Sequence, residues 1–123
     1  MAKQKINKTQ LQDQEAWIEV GSGGSAPAFT NNWVNFNAAY SSCAFMKDSL
    51  GFVHLKGMVK NGTTAASIFT LPAGYRPAAI SYYAIPSNDA WAEISLGSDG
   101  TVTKQSGGGN TFASLDGITF RAV

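Results

Sequence analysis

Apolar and polar residues alternate along residues 52–60. Val53, Leu55, Gly57 and Val59 share one face, and Phe52, His54, Lys56, Met58 and Lys60 share the other. A period of two marks a half-buried antiparallel strand. Asn61-Gly62 follows, a pair that tolerates the positive φ of a type I′ turn, and the chain then runs out through Ile68 and Phe69. The pattern therefore predicts a central hairpin within residues 49–77. It closes on Leu71-Pro72-Ala73-Gly74-Tyr75-Arg76-Pro77, a stretch too rich in Pro and Gly to remain in a sheet.

The same signals recur on both sides. Trp17, Ile18 and Val20 predict a first short strand, and Trp33, Val34 and Phe36 a second, with the Gly-Ser run 21–27 as a flexible link between them. Residues 43–47 predict a third, turning through 47–51 with Gly51 in a left-handed conformation. Residues 78–85 form the next, with Tyr82 and Tyr83 on opposite faces, before an exposed loop Pro86-Ser87-Asn88-Asp89. From Trp91 to Leu96 the alternation returns, with Ala92, Ile94 and Leu96 inward and Trp91, Glu93 and Ser95 outward. Ser98-Asp99-Gly100 turns the chain into 101–105, and Ser106-Gly107-Gly108-Gly109-Asn110 reads as a loose loop tip. Strands at 112–115 and 118–122, separated by Asp116-Gly117, complete the chain. Turn signals every ~8–12 residues predict an all-β, antiparallel β-sandwich or barrel.

Residues 1–14 are polar apart from Ile6, Leu11 and small residues, and this divides the chain into an N-terminal anchor or connector, 1–16, and a head domain, 17–123. Ile6 and Leu11 are the apolar side chains with which such an extension would order against another protein or another copy.

Composition narrows the partners. With 44% hydrophobic and 14% charged residues over 123 positions, the chain can bury a core, although a domain of this size often draws on partner subunits. A net charge of +1 offers neither nucleic acid nor an anionic membrane a concentrated basic face. No apolar run approaches the ~20 residues of a membrane span. Cys43, the single cysteine, excludes an intrachain disulfide and reads as a small buried hydrophobe.

Catalytic patterns are absent from the sequence. The one histidine, His54, sits mid-strand without a nucleophile elbow nearby, and Asp48, Asp99 and Asp116 are explained by their turns. One Cys and one His give no metal-ligand spacing, and neither Gly-rich segment precedes a helix that would present a phosphate site. No cofactor is expected. What remains is binding surface. Tyr83, Asn88, Asp89 and Trp91 flank one loop, and aromatic rings beside amide and carboxylate groups suit a sugar, whose apolar ring face stacks while its hydroxyls bond polar groups. The competing reading packs these rings between strands or subunits. The mixed face of Phe52, His54 and Met58 suits partial covering by another subunit.

PAFTNNWVNF, KDSLGFVHLKGMVKNGT, IFTLPAGYRP, SDGTV and SLDGITFRA, in this order and spacing, resemble the C-terminal head domains of phage tail-fibre and receptor-binding proteins. LPAGYRP, residues 71–77, is the most specific of these segments and LDGITFRA the next. KINKTQLQDQ is similar to the connector that precedes such heads. The resemblance implies a jelly-roll-like β-sandwich head, a homotrimer without enzymatic activity, and a virion protein of which some relatives bind cell-surface saccharide. Phe52, His54 and Met58 are then the candidate trimer contacts, and Ile6 and Leu11 the candidate virion anchor. With Met1 so close upstream of the head, the expected product is a short spike, a head fibre or a capsid decoration protein. A carbohydrate-binding module is the alternative that needs no virion.

Overall fold

The computed structural model describes residues 14–123. Among these the chain is all-β, without a helix, in eleven strands. They are β1 (Ile18–Glu19), β2 (Val34–Asn35), β3 (Ala44–Lys47), β4 (Phe52–Lys56), β5 (Met58–Lys60), β6 (Ser67–Thr70), β7 (Ser81–Ser87), β8 (Ala90–Leu96), β9 (Thr101–Gly107), β10 (Ala113–Ser114) and β11 (Thr119–Arg121). Three antiparallel sheets result, with strand orders β1-β3-β4-β11, β10-β5-β2 and β6-β9-β8-β7. This is the antiparallel β-sandwich that the turn spacing predicts.

The alternation of residues 52–60 holds, with Val53, Leu55 and Val59 buried and Phe52, His54 and Met58 half-buried on the other side. The run is nevertheless two strands. Gly57 has φ +118, and a Cβ there would come within 2.4 Å of Cys43 Cα, so only glycine permits the backbones to approach this closely. The break sends β4 into one sheet and β5 into another.

The expected central hairpin is not formed. Asn61 has the positive φ of 69° that its turn role requires, but β5 pairs with β10 and β2, while β6 pairs with β9. The chain end explains the choice. Residues 113–121 run past the Gly57 break in the opposite direction, so that β10 pairs with β5 and β11 with β4. Asp116 Oδ1 accepts from Gly57 N at 2.8 Å, Gly57 O accepts from Leu115 N at 2.7 Å, and Ile118 O accepts from Leu55 N at 2.8 Å. Strand-edge groups of β5 are therefore already used before β6 begins.

One hydrophobic cluster joins all three sheets: Phe45, Val53 and Leu55 from the first, Val59 and Ala113 from the second, and Ile68, Phe69, Ile94, Leu96 and Val102 from the third. Phe45 stacks on Phe69 with ring centroids 5.9 Å apart across the sandwich. Each buried Val, Leu, Ile or Phe side chain contributes about 1.5–3 kcal/mol by leaving water. Residues 71–77 fasten this core at one end. Tyr75 meets Phe45 edge-on at 5.2 Å, Arg76 Nε donates to Leu71 O at 2.8 Å, and Val123 N donates to Arg76 O at 3.1 Å.

Five buried positions are polar, Ser87, Ser95, Thr103, Lys104 and Ser114. Lys104 is buried, with Nζ donating to Gly107 O at 2.6 Å, and desolvation lowers its pKa. Ser95, expected outward, is buried beneath Gln105, whose Nε2 donates to its hydroxyl at 2.9 Å.

Candidate functional site

β7 and β8 meet in a two-residue turn, shorter than the four-residue loop expected. Pro86 and Ser87 belong to β7, and Asn88 and Asp89 turn with φ of 49° and 61°. Such a type I′ turn matches the strand twist, and Asn and Asp are the non-glycine residues that best tolerate its left-handed geometry. Directly across the hairpin, Pro86 pairs with Trp91. Opposed residues share a face, so both side chains point outward, and Trp91 is 71% exposed.

Phe112 supplies the other wall. It reaches this position because loop 108–112 is fastened to the hairpin: Asn88 Oδ1 accepts from Phe112 N at 3.0 Å, and Ser87 Oγ lies 2.7 Å from Gly109 O and 2.9 Å from Phe112 O. Gly108 allows the close approach, since a Cβ there would stand 2.5 Å from Ser87 O. On its far side the loop is tied by Asn110 Nδ2, which donates to Gly62 O at 2.7 Å and Thr64 Oγ1 at 2.9 Å. The segment expected to be a loose tip is thus cross-braced. Phe112 in turn packs edge-on to Phe36 at 6.1 Å, and Phe36 to Tyr40 at 5.0 Å.

The outcome is an open cleft of about 340 Å³ lined by Pro86, Asp89, Ala90, Trp91 and Phe112. Of the four residues that the sequence suggested for a ligand, Asp89 and Trp91 line it. Asn88 is at its edge, with its amide oxygen engaged by Phe112. Tyr83 does not join them: it faces inward, packs on the core, and donates to Thr119 O at 3.4 Å, with burial raising its phenol pKa. Pro86, Ala90 and Phe112 were missed. Proline beside an Asn-Asp turn carried a usable signal, but Phe112 is 21 positions from Trp91 and is brought there only by the loop contacts.

A second, larger groove of about 640 Å³ is lined by Trp17, Ser22, Pro27, Phe45, Pro72 and Tyr75 among others. Lys56 lies over the Trp17 ring and Lys47 over the Tyr75 ring, each 5.0 Å from the centroid. Glu15 docks beside it, accepting from Tyr75 Oη at 2.5 Å and from Lys47 N at 3.2 Å. Burial, reinforced by Glu15, pushes the Tyr75 phenol up to about 12. Contacts of the sandwich therefore begin two residues before the expected head boundary at Trp17. Ile6 and Leu11 lie outside the described residues.

Of the candidate subunit contacts, Phe52 lies beneath the Arg121 guanidinium, 5.6 Å from its ring centroid. His54 bridges Asp48 Oδ2 at 2.8 Å and Thr119 Oγ1 at 3.2 Å. Met58 lies in the three-stranded sheet, on the other side of the Gly57 break. Among the described residues no three His, Cys, Asp or Glu side chains gather as metal ligands, and no helix is long and apolar enough to cross a membrane.

No family model matches the chain, and no curated protein matches its sequence. Its structure does have a solved counterpart. The receptor binding protein gp15 of Listeria phage PSA superposes with a TM-score of 0.66 over 79% of this chain, at 20% sequence identity. The likeness is one of fold. The chain spans 62% of the length of that protein.

Proposed function

We propose that the chain is a bacteriophage virion surface protein whose sandwich is a receptor-binding head adhering to host cell-surface saccharide. The observation that carries this reading is the fold shared with a phage receptor binding protein, together with an exposed tryptophan beside a carboxylate on that fold. Trp91 offers its ring to the apolar face of a pyranose, Phe112 and Pro86 close the sides, and Asp89 accepts hydroxyl hydrogen bonds. Asn88 holds the turn in place, and Tyr83 acts only by supporting the hairpin from within. Attachment requires no bond-making step, so the head works without catalysis or cofactor.

A cleft this shallow binds weakly on its own. Homotrimer assembly compensates through avidity, since three heads on one repeated glycan surface convert later contacts into intramolecular ones. Phe52, His54 and Met58 form the proposed trimer face, and residues 1–16, through Ile6 and Leu11, join other virion proteins.

Two measurements on the full chain test this. A glycan array should give saccharide hits that Trp91→Ala abolishes without lowering the melting temperature; an array without hits sinks the saccharide reading. Light scattering after size exclusion should give a trimer that Met58→Asp dissociates while leaving the fold intact. A wild-type monomer at high concentration removes the trimer.

A further inference from the structure

β7 is the outer strand of its sheet, and the turn at Asn88-Asp89 determines which of its backbone groups face outward. In a hairpin closed by a type I′ turn, the flanking residues exchange the first pair of hydrogen bonds, and bonded pairs then alternate. The register is Ser87↔Ala90, Ile85↔Ala92, Tyr83↔Ile94 and Ser81↔Leu96 for the bonded pairs. The N–H and C=O groups of Tyr82 and Ala84 therefore point away from β8. No other backbone group pairs with them among the described residues.

The side chains beside this edge are apolar. Ile80 is 59% and Tyr82 57% exposed, and Ala84 and Pro86 are exposed on the same face. An open edge in a folded domain is ordinarily guarded by charges, by a bulge or by a covering segment. β7 carries no charged residue, and its register with β8 runs without a shift. The segment that lies against it, loop 108–112 leading into β10, makes its hydrogen bonds to the hairpin at Ser87 and Asn88 rather than at Tyr82 or Ala84. Pro86, which lacks an N–H, interrupts the edge near one end.

We infer that this edge pairs with the same edge of a second copy, antiparallel, about a two-fold axis at Tyr83. The spacing of the pattern identifies the occupant, because the edge is complementary to itself. With Tyr83 opposite the partner's Tyr83, Tyr82 stands opposite the partner's Ala84 and exchanges both backbone bonds with it, and Ala84 does so with the partner's Tyr82. On the outer face each large side chain then meets a small one: Tyr82 lies over the partner's Ala84, and Ile80 over the partner's Pro86. The ladder stops where Pro86 has no hydrogen to donate and the partner's Ile80 already precedes its strand. The exposed apolar surface covered is on the order of 500 Å² per copy, the lower end for specific interfaces, so pairing is weak and concentration-dependent. It doubles a monomer, and it doubles the proposed trimer where the seam's two-fold axes cross the trimer's three-fold axis. Of the seam residues Pro86 alone also lines the cleft, and Tyr82 and Ala84 lie outside it, so loss of pairing in Tyr82→Lys is distinguishable from loss of saccharide binding in Trp91→Ala.

Sedimentation equilibrium of the full chain should show the particle mass doubling as concentration rises. Tyr82→Lys, which places a charge on the exposed edge, and Ala84→Pro, which removes one outward N–H, should each hold the mass at the undoubled value. Tyr82→Lys changes an exposed side chain and carries the comparison if Ala84→Pro lowers stability. Tyr83→Cys should form a disulfide-linked pair under mild oxidation, because opposed non-bonded strand positions have Cα atoms about 4.5 Å apart, within disulfide reach. Buried Cys43 supplies no such link in the wild type. A wild-type mass that never doubles, doubling that survives Tyr82→Lys, or a Tyr83→Cys chain that stays unlinked each overturns the seam.

Discussion

Gly62 lies against the indole of Trp33: a Cβ on Gly62 would stand 1.9 Å from two ring carbons and 2.1 Å from Nε1. Trp33 is 1% exposed, among the largest side chains in the core, so the ring has no room to withdraw. Gly62 has no left-handed φ to maintain, and its requirement is purely one of space. Gly62→Ala should destabilise the fold by about 1–3 kcal/mol through overpacking. A denaturant midpoint equal to that of the wild type would show that the indole can move.

Asn88 combines a left-handed backbone with a hydrogen bond to loop 108–112, and two substitutions separate these roles. Asn88→Gly keeps the turn and loses the bond from Phe112 N, a cost of about 1 kcal/mol. Asn88→Ala loses the bond and adds strain at φ 49°, for about 1–2 kcal/mol more. Urea unfolding of the three proteins should therefore rank wild type, Asn88→Gly, Asn88→Ala. Equal stability of the two variants would remove the conformational part of the argument.

The Asp48 carboxyl is held below its ordinary pKa, first by the hydrogen bond from His54 and next by the bond from Phe52 N. A depressed carboxylate contributes stability above its unfolded pKa of about 3.9, and that contribution disappears as pH falls through the lower folded value. The melting temperature of Asp48→Asn should accordingly lie below that of the wild type at neutral pH, and the gap should close as the pH drops below about 4. Thermal melts across that range provide the check. A gap that persists in acid would point to the turn bonds at Leu50 and Phe52 rather than to charge.

Burial pushes the Cys43 thiol far above its ordinary pKa, with desolvation as the cause. Thiolate is the reactive form, so native protein should remain unmodified by a disulfide reagent over hours and react with one equivalent once unfolded. Rapid reaction under native conditions would mean that the segment leading into β3 opens readily.

Much of the architecture was legible because side-chain alternation is local. Val53, Leu55 and Val59, and again Ala92, Ile94 and Leu96, declare an inner face by their spacing, and burial follows it. Turn positions were equally readable where conformation demanded particular residues: Gly51, Gly100 and Gly117 all have positive φ. Two of the five residues lining the cleft could be named for the same reason, since Asp89 and Trp91 are tied to one short turn.

Strand partnership was not legible, because pairing is decided between residues far apart along the chain. Gly57 reads as one more inward position until the Cys43 backbone is placed against it, and only then does the run divide. Asn61-Gly62 signals a reversal correctly, yet β5 is already occupied by β10 and β2, so the reversal leads to another sheet. Phe112 faces Trp91 only through the bonds made by Ser87 and Asn88. The sequence by itself determined which side chains turn inward and where the chain reverses, since both are set by backbone geometry over a few residues. The tertiary structure decided which strands meet and which aromatic rings share a cleft, since those depend on competition for the same backbone edges and the same space.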